Sequence, residues 1–109
     1  MGTMGTKRGA VKNSMEDIKQ ELINLGFRLS SGITYWIEAF QYVRVTPKTY
    51  KISAIYHAIG LKHHKSIYAI ERAMRYALEP AKENIQKKYG YYQKIDNMTF
   101  INLIRFERE

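Results

Sequence analysis

The stretch Ser66-Ile67-Tyr68-Ala69-Ile70-Glu71-Arg72-Ala73-Met74-Arg75-Tyr76-Ala77-Leu78-Glu79-Pro80 decides how this chain folds. At about 100° per residue, Ile70, Met74, Ala77 and Leu78 gather with Ile67 inside one arc, also about 100° wide. Tyr68, Arg72, Arg75 and Glu79 gather on another side, and Glu71 stands at the border between the two. Ser66 is a good N-cap, because a serine hydroxyl accepts from an N–H that the first helical turn leaves unbonded. Pro80 ends or kinks what precedes it, having no N–H to donate. The spacing predicts an amphipathic helix over 67–79, roughly 20 Å long, held to a core by its apolar stripe. Its polar side suits a DNA major groove about 12 Å wide, where an arginine takes both acceptors of a guanine edge and a glutamate accepts from the cytosine amino group. The same spacing sets Glu71 four residues before Arg75, and a solvated ion pair is the plainer reading of that couple.

Upstream, a short helix over His57–His63 and a tight turn at His64-Lys65 complete a helix-turn-helix pattern. A third helix begins at Thr46 with Pro47 in its first turn. It turns Ile52 and Ile55 inward and runs to about Tyr56, either continuous with the short helix or offset by a bend. Gly60 either stops a helix or lets a neighbouring helix approach closely; Leu61-Lys62-His63 still suits a helix, which favours close approach. Farther back, a first helix spans Ser14 to Leu25, with Met15, Ile18, Leu22 and Leu25 on one face and Gly26 as the stop. A second follows Ser30 or Ser31 and turns Ile33, Trp36, Ile37, Phe40 and Val43 inward. Downstream, Ala81 to Tyr89 is helical, Tyr91 to Asp96 is a loop, and Asn97 caps a last helix carrying Phe100, Leu103 and Ile104. No strand pattern of useful length occurs. The expected fold is all-α, a compact bundle of about six helices containing a helix-turn-helix.

The totals agree with one domain. There are 109 residues, 45% of them apolar, which suffices for one core without covalent staples. The absence of cysteine removes disulfides, thiolate catalysis and Cys-based zinc sites, and fits a reduced, cytoplasmic compartment. No apolar run approaches the roughly 20 residues that span a bilayer, and no signal peptide is evident. Residues 1–13, with Met-Gly-Thr twice in succession, read as a disordered leader or an added start, leaving 14–109 as the domain. The net charge of +8 is uneven: residues 50–90 hold eight Lys/Arg against three Glu, plus all three histidines. A basic stretch between balanced ones suggests a surface that meets a polyanion, although a merely soluble basic protein has the same totals.

Tyr68 to Glu79 resembles the recognition helix in the C-terminal DNA-binding effector domain of the sporulation master response regulator, the stage 0 sporulation protein A family. That family reads close to Ser-Arg-Val-Glu-Arg-Ala-Ile-Arg-His-Ala-Ile-Glu there. The likeness runs upstream without gaps to Ile55-Tyr56 and returns at Gly32 to Phe40, Asn84-Ile85, Tyr89-Gly90-Tyr91 and Asn97 to Ile101. The resemblance implies a helical domain that binds promoter boxes of the TGTCGAA type in double-stranded DNA and regulates transcription. It places Glu71, Arg72 and Arg75 at the bases. It also implies contact with an RNA polymerase sigma factor through the region downstream of the recognition helix. Three departures stand out: Ala69 replaces a DNA-contacting arginine, Pro80 interrupts a longer helix, and the segment between Asn84 and Asn97 is shorter. The family's receiver domain has no counterpart here, so the chain reads as an excised effector domain or a stand-alone relative.

The site expected on these grounds has Tyr68, Glu71, Arg72 and Arg75 reading bases, and Lys62, His64, Lys65, Ser66 and Lys82 meeting phosphates. Tandem or inverted boxes would receive it, with a dimer on DNA as one arrangement. Adjacent His63 and His64 do not complete a metal set, Lys87-Lys88 is a surface pair, and Tyr89, Tyr91 and Tyr92 pack around Gly90. No phosphate-cradling glycine loop or nucleophile–base set occurs, so neither an enzyme nor a cofactor is expected. The competing reading is a protein-interaction module that binds a regulator or polymerase without recognising a DNA site.

Overall fold

The computed structural model describes residues 15–45 and 51–108, with side chains to 104. The leader at 1–13, the Ser14 cap and Thr46-Pro47 lie outside the described residues, but the helix expected to run from there to Tyr56 is interrupted, since Lys51 is extended and a helix begins at Ile52. The elements are α1 (Met15–Leu25), α2 (Ser31–Val45), α3 (Ile52–His63), α4 (Ile67–Leu78), a 3₁₀ turn (Glu79–Ala81), α5 (Lys82–Tyr89) and α6 (Asn97–Arg108). Among the described residues there is no strand, and no helix is long and apolar enough to cross a membrane.

The helix α2 is the axle of the bundle, because it buries more than one stripe. Ile33, Trp36, Ile37 and Phe40 are buried as their spacing predicts, and Tyr35 and Ala39 join them from the flanks. Trp36, Phe27 and Phe100 form an aromatic cluster from three separate parts of the chain, with ring centroids 5.2–5.8 Å apart. Edge and tilted contacts of this kind suit the ring quadrupoles. The Trp36 indole Nε1 also donates to the Met74 carbonyl at 2.9 Å, joining α2 to α4. The seam between these helices closes at Gly32. A Cβ there would overlap the Ala73 carbonyl oxygen and lie 2.9 Å from the Ala77 Cβ, so only glycine lets the backbones meet.

Several local expectations change in the folded chain. Met15 is 53% exposed, because α1 presses inward with Ile18 and Leu22 and leaves its first residue at the rim. Gly60 does not end a helix; α3 continues to His63, and His64 takes the left-handed conformation, with φ 58° and ψ 45°. The close approach at Gly60 comes from the turn rather than from a neighbouring helix. A Cβ would lie 2.5 Å from the Lys65 carbonyl oxygen, and the Lys65 N–H donates to the Gly60 carbonyl at 2.9 Å. Asn97 does not cap α6. Asp96 does, its Oδ1 accepting from the Thr99 N–H at 2.8 Å and the Thr99 hydroxyl at 2.7 Å. Asn97 is 4% exposed, and its Nδ2 donates to Tyr56 Oη at 3.1 Å and to the Glu71 carbonyl at 3.3 Å. This amide joins α3, α4 and α6 under the polar side of α4.

Candidate nucleic-acid interface

The element α4 forms for the local reasons its residues supply. Ser66 has extended backbone, and its Oγ accepts the Ala69 N–H at 3.1 Å, closing the first turn. Ile70, Met74, Ala77 and Leu78 are fully buried. Ile67 is not: it is 38% exposed, since it is the first residue of the helix, beside the turn. Four buried residues, not five, hold α4 to the body. At the other end Pro80 sits in the 3₁₀ turn, and the chain re-enters a helix at Lys82.

The opposite side of α4 is open. Tyr68 is 82% exposed, and Arg72 is exposed with no hydrogen bond or ion pair among the described residues. Arg75 is exposed too, but its guanidinium grips Glu71 in a fork, Nε to Oε2 at 3.0 Å and Nη2 to Oε1 at 3.2 Å. The hydrogen bond to Glu71, and then its charge, raise the already high pKa of Arg75. Arg72 and Arg75 therefore differ: one guanidinium is open to any acceptor, and the other must exchange an intramolecular partner to meet one.

The residues expected at phosphates separate into two groups. His64, Lys65 and Ser66 lie together at the exposed turn that leads into α4. Lys62 instead reaches Glu38 on α2 at 3.2 Å, and Lys82 pairs with Glu79 at 3.1 Å. His63, immediately before the turn, is held by the same Glu38 through Nε2 at 2.9 Å and 3.0 Å, with its ring edge-on to Tyr35 at 5.0 Å. Sequence spacing concealed that carboxylate, which comes from 25 residues upstream. Among the described residues no group of three or more His, Cys, Asp or Glu is placed to hold a metal ion.

Two contacts at this face escaped the sequence reading altogether. Arg28, in the connection between α1 and α2, donates from Nη1 to the Tyr76 carbonyl at 3.0 Å and lies over the Tyr76 ring, 4.1 Å from its centroid. Tyr56 is the other, since burial pushes its phenol up while the hydrogen bond from Asn97 draws it down. Neither belongs to a local periodic pattern, so only the meeting of distant segments reveals them. Tyr89 and Tyr91 pack partly buried against the core, as expected around Gly90, whereas Tyr92 is exposed. Comparison with protein-family models, curated proteins and solved structures returned no match.

Proposed function

We propose that this chain is a sequence-specific DNA-binding transcription regulator that lays α4 in the major groove. In this reading α3 and α4 are the two helices of a helix-turn-helix, with the turn at His64–Ser66. The observation that carries it is the division of α4 into a stripe clamped to α2 and an exposed side bearing Tyr68, Arg72 and Arg75. Arg72 takes the guanine edge directly. Glu71 and Arg75 either read as a coupled unit or part when bases offer better partners. Lys65, with the Ser66 and His64 backbone beside it, meets the phosphates at the N-terminal end of α4, where the helix dipole favours an anion. Lys62 and Lys82 contribute less, since each already neutralises a glutamate.

The likeness of Tyr68–Glu79 to the recognition helix of the sporulation regulator family supports the same reading and suggests boxes of the TGTCGAA type. A sigma-factor contact follows from that likeness alone, and a cytoplasmic site of action rests on the absence of cysteine as well. Ala69 and Pro80 are the positions at which the preferred box departs from the family's. One observation favours the competing interaction module: the Glu71–Arg75 fork is already satisfied without DNA.

Selection of bound duplexes from a random pool, followed by binding across salt concentrations with competitor DNA, separates the two. Groove reading yields a recovered motif and an affinity that falls linearly on a log–log salt plot. Weak, sequence-blind binding would assign the exposed side of α4 to a protein partner.

A further inference from the structure

Three cations on or beside α4 are already neutralised by glutamates: Lys62 by Glu38, Arg75 by Glu71 and Lys82 by Glu79. Arg28, Lys65 and Arg72 have no carboxylate partner among the described residues. These three fall along α4 in order. Lys65 precedes the cap, Arg72 lies mid-helix, and Arg28 is tied to the C-terminal end through Tyr76 and Ala77. Tyr76 is four residues from Arg72, which makes the two neighbours on the helix surface. The rise from Ile67, two residues after Lys65, to Tyr76 is roughly 14 Å at ~1.5 Å per residue, enough to cross a groove about 12 Å wide.

We infer that Arg28 is a phosphate clamp for duplex DNA, gripping the backbone wall opposite the one met by Lys65. The inference rests on α4 lying in the groove. Arg28 suits the task because it is set in place beforehand. Its backbone N–H donates to the Ala77 carbonyl at 2.9 Å, one guanidinium nitrogen donates to the Tyr76 carbonyl, and the Tyr76 ring covers one face of the fork. Its remaining N–H donors have no acceptor among the described residues. Arginine presents five donors in a rigid plane, and that geometry matches a phosphate. Holding the plane before binding removes much of the entropy cost of ordering a long side chain.

Arg28→Gln tests this, because the backbone N–H bond to the Ala77 carbonyl is kept while the charge is gone. Binding is measured on the selected box and on random duplex across a salt series, beside Arg72→Ala and with melting temperatures as a control. The clamp predicts that Arg28→Gln weakens both duplexes by a similar factor, on the order of tenfold at low salt, and lowers the salt slope by about one. An unchanged slope with unchanged affinities makes Arg28 a helix cap only and overturns the clamp, as does a loss confined to the box. If Arg72→Ala abolishes preference in that same experiment, the groove reading survives the clamp's failure. An unmodified protein that binds neither duplex overturns both.

Discussion

Replacing Gly32 by alanine sets two physical effects against each other, and the sign of the result decides between them. Gly32 lies in the first turn of α2, where alanine is the better helix former by at most about 1 kcal/mol. On propensity alone the variant is more stable. The new methyl, however, would overlap the Ala73 carbonyl oxygen, with the Ala73 carbonyl carbon at 2.8 Å and the Ala77 Cβ at 2.9 Å. Two of these are backbone atoms of α4 and cannot rotate away. The helices must part by on the order of 1 Å, and overpacking of this kind costs about 1–3 kcal/mol. The displacement acts one turn from Trp36, whose 2.9 Å bond to the Met74 carbonyl then exceeds hydrogen-bond range. Leaving that buried pair unmade costs about another 1–3 kcal/mol. The net expectation is a loss of about 3 kcal/mol, read from urea unfolding followed by helical circular dichroism at unchanged m value. In a domain of this size that lowers Tm by roughly 10–20 °C. If α4 reads DNA as proposed, duplex affinity is expected to fall with it, because this seam presents α4. A Gly32→Ala protein as stable as its parent would refute the account of the α2–α4 contact.

Arg72→Ala is expected to leave melting unchanged, since Arg72 has no partner among the described residues, while costing about 1–3 kcal/mol on the selected box and little on random duplex; equal losses on both, measured by fluorescence anisotropy, count against base reading. Lys65→Ala is expected to weaken every duplex alike and to lower the salt slope by about one; a box-specific loss would move Lys65 from the phosphates to the bases. Asp96→Ala removes the α6 cap and costs about 1 kcal/mol near neutral pH. The bonds from the Thr99 hydroxyl and N–H hold the Asp96 carboxyl below its usual pKa. Its contribution is therefore complete above the unfolded value of about 4 and lost as pH falls through the lower folded value. Parent and variant should converge in acid, and a gap persisting to about pH 2 would show that the carboxylate is not the cap. Asn97→Ala leaves Tyr56 Oη and the Glu71 carbonyl without their shared donor, so a loss of about 1–3 kcal/mol is expected from thermal unfolding; a change below about 0.5 kcal/mol would mean that water replaces the amide.

The helices and the polar side of α4 were legible in the order of residues. A 3.6-residue period, a serine cap at Ser66, a stop at Gly26 and a break at Pro80 act within a few positions of themselves. The chain needs no distant partner to express them. What each charge and each small residue does was settled elsewhere. Lys62 and His63 look as available as Lys65 until α2 brings Glu38 to them, and Arg28 looks like an ordinary loop cation until Tyr76 meets it. Asn97 looks like a helix cap until burial under α4 gives its amide two other acceptors. Gly32 has no meaning along the chain and a definite one across it, where backbone atoms occupy the place of a Cβ, and at Gly60 the close approach legible in the sequence turns out to be to the Lys65 carbonyl of the turn. Helix formation depends on neighbours within about one turn. Ion pairing and close approach depend on which segments share a seam, and that exists only once the bundle has closed.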